Sequence, residues 1–281
     1  MLKVKDYKRI LTIQDISCVG QCSLTVALPV LSACGVETAV LPSAVLSTHT
    51  AGFKDFTFRD LTCDMEPVRA HWSKEGIRFD GFYTGYLGSK EQISECLKIF
   101  ETTAAENSII ICDPAMADNG KLYPAFDMDF VASMRELCGK ADIVVPNITE
   151  AALLTGEPYK TDYKPDYPVL LCKKLMDNGA KTVVLTGVSL RENKTGVLIA
   201  DACGEYYYEH ELLPNGCHGT GDVYASAFAG AVMRGKNVNE AAKIAADYTV
   251  LCIKNTAGDK DHWYGVKFEP VLGKLIEMLE K

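Results

Sequence analysis

The chain has 281 residues, nearly half of them hydrophobic, which is enough to bury one large core without disulfide staples. Its formal net charge of −8 and the lack of any basic stripe exclude nucleic acid or an anionic membrane as the main partner, because both reward clustered Lys and Arg. The opening Met1–Asp6 lacks the apolar run of a signal peptide, and no segment reaches the roughly 18 uncharged apolar residues that a membrane span needs, so a cytoplasmic location is expected.

In chain order, residues 9–14 (RILTIQ) read as a β-strand ending at polar Asp15, and residues 22–34 (CSLTVALPVLSAC) as an apolar helix that tolerates Pro29. The pattern then repeats. Strands are expected at 36–41, 81–86, 108–112, 143–145 and 182–185, alternating with helices near 65–74, 90–103, 128–138 and 168–178. Strands at 196–201 and 205–210 flank Ala202-Cys203-Gly204 as a hairpin, and helices near 222–234, 239–254 and 269–280 close the chain. The segments 48–61 and 159–167 read as irregular, the second as a mobile surface loop. Strands alternating with helices imply an α/β fold, a mostly parallel sheet covered by helices on both faces. The continuously apolar runs at 109–112 and 143–145 fit strands buried on both sides.

Eleven cysteines do not make a disulfide framework here, since Cys34, Cys112, Cys172 and Cys252 lie in apolar stretches where a reduced thiol packs as a small hydrophobe. The Cys18-x3-Cys22 pair has no second pair at zinc-finger spacing, so no zinc site is expected.

Ligands of a parallel sheet collect outside the carboxyl ends of its strands. Those ends are Gln14-Asp15, Tyr86, Cys112-Asp113-Pro114, Pro146-Asn147 with Thr149-Glu150 just beyond, and Thr186-Gly187. The sharpest feature is the stretch Asn215 to Asp222 (NGCHGTGD), which opens an apolar helical run. Glycines before a helix let the backbone approach an anion, and the free N–H groups and helix dipole favour negative charge there. The spacing is neither a Walker A loop nor a dinucleotide fingerprint. A carboxylate beside such an anion cradle makes sense if it accepts a proton from a hydroxyl attacking a phosphate, although a first-turn Asp222 also serves as a simple helix cap. Asp113, Asp118 and Glu150 suit a hard cation shared with nucleotide phosphates, magnesium being the expected ion. The competing roles are a turn for Asp118 in Asp118-Asn119-Gly120 and a capping box for Glu150 in Asn147-Ile148-Thr149-Glu150.

These residues resemble the ribokinase-like vitamin kinases, and within them the pyridoxal/pyridoxine/pyridoxamine kinases, essentially end to end. The similarity is carried by Ile13-Gln14-Asp15 with Gly20, Leu46 to Thr50, Thr84-Gly85-Tyr86, Cys112-Asp113-Pro114 through Asp118, Pro146-Asn147-x-x-Glu150, and Gly219-Thr220-Gly221-Asp222. The resemblance implies a three-layer ribokinase-like fold forming a single domain over residues 1–281, and an ATP-dependent kinase of vitamin B6 salvage. It implies Asp222 as the base toward the 5′-hydroxymethyl group, with Gly219, Thr220 and Gly221 donating to the transferring phosphoryl. Asp113, Asn147, Glu150 and Thr186 would hold ATP, Asp118 and Glu150 the metal, and Asp15, His49, Thr50 and Tyr86 the vitamer. It further implies Mg2+, often K+, and a homodimer.

Two departures stand out. Many relatives carry Ser where Asp15 stands, and some bacterial ones carry Lys where Thr186 stands. An acceptor-only carboxylate at position 15 would favour a protonated ring nitrogen or an ammonium group, hence pyridoxamine or pyridoxine. The rival readings are a hydroxymethylpyrimidine (phosphate) kinase of thiamine synthesis, whose Gly-rich opening Asp15-Ile16-Ser17-Cys18 does not match, and a non-catalytic vitamer- or nucleotide-binding protein on the same scaffold.

Overall fold

A computed structural model describes residues 7–213 and 217–281. Asn215 and Gly216 of the glycine-rich turn, and the opening Met1–Asp6, lie outside the described residues. Nine strands form one sheet in the order β11-β10-β9-β8-β5-β4-β1-β2-β3. The parallel body is β2 (Glu37–Leu46), β1 (Arg9–Ser17), β4 (Phe79–Thr84), β5 (Ala104–Cys112), β8 (Ile143–Val144) and β9 (Thr182–Val188). Antiparallel β3 (Phe58–Asp60) closes one edge, and the hairpin β10 (Lys194–Asp201) and β11 (Gly204–Glu211) closes the other.

Alternate residues of each strand enter different cores. Leu11, Cys112, Val144 and Val183 face the helices α2 (Thr62–Lys74), α3 (Lys90–Thr103), α4 (Met128–Lys140), α5 (Ile148–Thr155) and α6 (Asp166–Asp177). Ile10, Ile111, Ile143 and Val184 face α1 (Leu24–Ala33), α7 (Thr220–Met233), α8 (Val238–Thr256) and α9 (Leu272–Leu279). Both faces of the central strands are therefore dry, which is why those strands are apolar at successive positions. The expected three-layer α/β architecture is the one observed. No helix among the described residues is long and apolar enough to cross a membrane.

Several helix starts are set by local chemistry. Ser89, Asp127 and Asn237 each accept a backbone N–H of the first turn of α3, α4 and α8, each such cap contributing about 1 kcal/mol. Four elements were not placed from sequence: β3 inside the supposedly irregular 48–61 stretch, the two-residue strands β6 (Ala117–Asp118) and β7 (Lys121–Leu122), and the eight-residue α5, of which only the capping box at its start was read. All are too short for a hydrophobic period to show. The strand expected at 81–86 stops at Thr84, because Gly85 and Tyr86 leave the sheet at the switch point. That point lies between β1 and β4, whose onward connections run to opposite sides.

Candidate active site

Asp15 sits at a register break: Gln14 pairs with Pro42 but Ile16 pairs with Val45, so Asp15 alone stands opposite two residues of β2, Ser43 and Ala44. Such a break re-aims the side chain out of the regular pleat. The Asp15 carboxylate is buried and accepts a hydrogen bond from Ser17 Oγ at 2.9 Å. Burial pushes its pKa up, while the hydroxyls of Ser23 and Ser17 pull it down. No Lys or Arg pairs with it among the described residues, and only the neighbouring hydroxyls, its own backbone N–H and the His49 ring oppose the cost of burying its charge.

Asp222 lies in the first turn of α7, whose N-cap is Gly219 at φ 81°. Glycine is required there on two counts. The left-handed conformation strains other residues, and a Cβ would fall 1.6 Å from the Gln21 carbonyl oxygen. A glycine cap has no side chain to satisfy the first-turn N–H groups, so those of Thr220 and Gly221 remain for an anion, while that of Asp222 faces its own carboxylate. Burial raises the Asp222 pKa to about 7, with the Asp15 charge pushing the same way and the Ser23 backbone N–H opposing.

The N-terminus of α5 is closed in the opposite manner. Asn147 Oδ1 accepts from Glu150 N at 2.9 Å and Glu150 Oε2 accepts from Asn147 N at 2.8 Å, a complete capping box. Glu150 Oε1 also accepts from Met116 N at 3.1 Å, and Asn147 Nδ2 donates to Ala117 O at 2.9 Å. The capping role weighed for Glu150 is thus real, and it ties the segment after β5 to α5. Burial lifts the Glu150 pKa to about 7. Burial also raises the Asp113 pKa well above the usual carboxylate range, with the Glu150 and Asp222 charges adding to it. Asp118 is exposed, and its oxygens accept Asn119 N at 2.8 Å and Asn119 Nδ2 at 2.9 Å, so the turn role is also present.

A cleft of about 440 Å3 brings together Asp113, Asp118, Asn147, Glu150, Thr186 and the Gly219 to Asp222 turn. It continues along Val197, Thr249 and Ile253, a mostly apolar stretch. These three went unread in the sequence because they come from β10 and α8, far from any motif, and carry no polar signal. Thr186 hangs on the strand end through its N–H and hydroxyl to Pro146 O, at 2.9 and 3.2 Å. Among the described residues the cleft lining contains no Lys or Arg.

The acceptor-side residues are placed differently from one another. His49 is buried: its Nδ1 accepts from Ala51 N–H at 3.1 Å, so Nε2 carries the proton and donates to Tyr264 O at 2.6 Å. Both ring nitrogens are thus spent on the chain, and His49 can offer a ligand only its ring surface. Gly20 makes room for that ring, since a Cβ there would lie 2.2 Å from His49 Cδ2. Tyr86 packs against Phe126 with centroids 5.5 Å apart, and its phenol is raised by burial first and by the Asp15 charge second. Thr50 is exposed, and the structure shows no hydrogen bond from its side chain. Cys22, weighed in the sequence only as half of a zinc pair, lies close to both Asp15 and Asp222. The Cys22 thiol is held well above its usual range by burial, then by the Asp222 and Asp15 charges.

The phosphomethylpyrimidine kinase profile matches residues 27–266. The chain belongs to that family. Pyridoxal kinase from Lactobacillus plantarum is 35% identical and superposes with a TM-score of 0.89, covering 97% of this chain and 98% of the other. A Bacteroides thetaiotaomicron protein described as a phosphomethylpyrimidine kinase, solved with pyridoxal, is 36% identical at a TM-score of 0.91, with 96% of both chains covered. Pyridoxine kinase of Bacillus subtilis is 28% identical over 202 residues, 69% of this chain and 71% of that protein. This kinase is therefore a phosphotransferase with an alcohol acceptor, of the pyridoxal kinase type and ribokinase-like fold.

Proposed function

We propose that this kinase, a single domain spanning residues 1–281, transfers the γ-phosphoryl group of ATP to the 5′-hydroxymethyl oxygen of a B6 vitamer. The observation that carries this reading is Asp222, a carboxyl whose pKa of about 7 suits a base at neutral pH, set among the uncapped N–H groups of α7. Asp222 takes the hydroxyl proton as the oxygen bonds to phosphorus and the bond to the ADP oxygen breaks. Thr220 and Gly221 N–H groups stabilise the equatorial phosphoryl oxygens as charge redistributes. Glu150 and Asn147 hold the loop that presents Asp113.

Magnesium fits this donor set. The cleft offers carboxylate oxygens but no Lys or Arg against the nucleotide phosphates, and no three metal-ligating side chains converge among the described residues. That matches an ion bound through one or two carboxylates together with phosphates and water, with Asp118 and Glu150 as the protein ligands. The ion would supply charge neutralisation of the phosphates.

On the acceptor side, Asp15 is a buried carboxylate lacking a cationic partner, so a protonated pyridine nitrogen or an ammonium group would complete it. The pyridoxal held by the Bacteroides relative supports the vitamer class. Incubation with Mg-ATP and pyridoxal, pyridoxine, pyridoxamine or hydroxymethylpyrimidine, followed by mass spectrometry, tests the reading. Phosphorylated vitamer is expected, and product from hydroxymethylpyrimidine alone would replace the proposal with the thiamine-pathway activity.

Asp15→Ser is expected to reorder kcat/KM among the three vitamers, pyridoxamine losing most. An unchanged ranking removes Asp15 from substrate choice. Tyr159 of segment 159–167 packs on Gly120, the residue before segment 121–127. If they close over ATP, limited proteolysis there slows when nucleotide is bound. Unaltered cleavage counts against closure.

A further inference from the structure

Ser89 and Gln92 stand at capping-box spacing at the start of α3, and half of the box is present, since Gln92 N donates to Ser89 Oγ at 3.2 Å. The other half is displaced. In a complete box the Gln92 side chain would return to the Ser89 N–H, as that of Glu150 does to Asn147, but its Oε1 accepts instead from Gly88 N at 2.7 Å, one residue earlier. The nitrogen end reaches away from the helix altogether. Gln92 Nε2 donates to Ser43 O of β2 and to Thr62 Oγ1 of α2, both at 2.9 Å, with Asp60 Oδ2 of β3 at 3.3 Å sharing one of the two N–H groups. Gln92 is completely buried, so every one of these bonds is made out of water. A helix cap explains none of the donor bonds.

The partners of Gln92 adjoin the acceptor-side residues. Ile13 of β1 pairs with Thr84 of β4, and on each side the chain runs two residues further, to Asp15 and to Tyr86. Residues 85–88 carry Tyr86 out of the sheet and are held at three points. Gly85 N donates to Ile13 O at 3.1 Å, Ser43 Oγ donates to Tyr86 O at 3.1 Å, and Gly88 N donates to Gln92. Gln92 therefore bears on two of the three, one directly and one through Ser43. Ser43 is also one of the two β2 residues opposite Asp15, and the other, Ala44, pairs with Asp60.

We propose that Gln92 is a positioning residue for the acceptor side of the active site, its single buried amide fixing the loop that carries Tyr86 against the β2 segment that faces Asp15. Buried polar networks whose members are all paired rigidify and specify the surrounding structure, and here the amide oxygen and both N–H groups have partners. An ionised glutamate could not donate to Ser43 and would face Asp60. The kinetic consequence rests on the proposed vitamer kinase activity, whereas the contacts do not.

Gln92→Met keeps the length of the side chain and removes its hydrogen bonds. The fold should survive, because Ser43 O still accepts from Leu61 N at 3.0 Å and Gly85 N still holds Ile13 O. Loss of this support should raise the acceptor KM by about tenfold while kcat and the ATP KM change far less. Ser43→Ala, which removes only the hydroxyl bond to Tyr86 O, should move the acceptor KM the same way by a smaller factor and serves if Gln92→Met does not fold. Because the two side chains act on one loop, the double variant should lie near Gln92→Met alone, and fully additive effects would overturn the shared role. Ser89→Ala is the control: it weakens the same helix start and should lower Tm without raising the acceptor KM. An acceptor KM that rises in Ser89→Ala in step with the loss of Tm would reduce Gln92 to a structural residue.

One arm needs no substrate. The Tyr86 ring and carbonyl-carbon signals, read by NMR in the unliganded protein, should shift in Gln92→Met and Ser43→Ala and hold in Ser89→Ala. Signals that stay in place in the first two variants overturn the proposal, whatever alcohol the enzyme phosphorylates. If they shift but the wild type acts on no vitamer, the substrate reading fails and the positioning role of Gln92 stands.

Discussion

Asp222→Asn is expected to lower kcat by about 10²–10⁴-fold, the range for losing a general base, with the ATP and acceptor KM values changing far less. The amide keeps the size and the hydrogen-bonding oxygen of the carboxylate but cannot accept the proton. The wild-type kcat/KM should rise with pH and level off above about 7, because only the ionised carboxyl works and burial has lifted its pKa to about 7. The asparagine variant should lose that limb. A flat wild-type profile between pH 6 and 8, or a variant of near-normal kcat, would remove Asp222 from proton transfer.

The same raised pKa fixes the sign of a stability effect. In the folded chain Asp222 binds its proton up to a pH of about 7, whereas an unfolded aspartate releases it near 3.8. Between those values the native state holds more protons, so stability falls as pH rises through the window. The cost at pH 8 is on the order of a few kcal/mol before solvent relaxation. Glu150, lifted by burial to about 7, acts in the same direction. Asp222→Asn should therefore melt above wild type at pH 8 and close to it at pH 4.5. A less stable variant at pH 8 would mean that the carboxylate is better solvated or paired than its burial indicates.

How much of this site could be read in the sequence depended on how local each signal was. The Gly219 to Asp222 turn and the strand-end carboxylates Asp113 and Glu150 are compact motifs whose spacing carries the chemistry, and the fold brings them into one cleft. The parallel sheet was legible because its strands are apolar at successive positions and alternate with helices. The clamped state of His49 was not, since it depends on Tyr264, 215 residues further along. The register break that aims Asp15 comes from an extra residue in β2, which hydrophobic pattern cannot locate to one position.

Gly219→Ala should be the most damaging single methyl addition in the site, and its contrast with Gly221→Ala separates fold from ligand contact. At Gly219 the new Cβ meets a backbone carbonyl at 1.6 Å in a left-handed conformation, so α7 or the Gln21 to Ser23 segment must move by more than an ångström. Either movement pulls the first-turn N–H groups away from the phosphate position. Displacement of that size costs on the order of 10²-fold in rate, and Tm should fall with it. At Gly221 no atom lies within 4 Å of the added Cβ and φ is not positive. There alanine should hold or raise Tm, by the roughly 0.5–1 kcal/mol that replacing a helical glycine yields. Activity at Gly221 then reports the ligand alone. If the transferring phosphoryl approaches this backbone, the alanine variant should be folded, stable and at least tenfold weaker in kcat/KM for ATP. A Gly221→Ala enzyme with full activity would place the phosphates elsewhere in the cleft, and a Gly219→Ala enzyme of unchanged Tm would show that the contact with Gln21 relaxes freely.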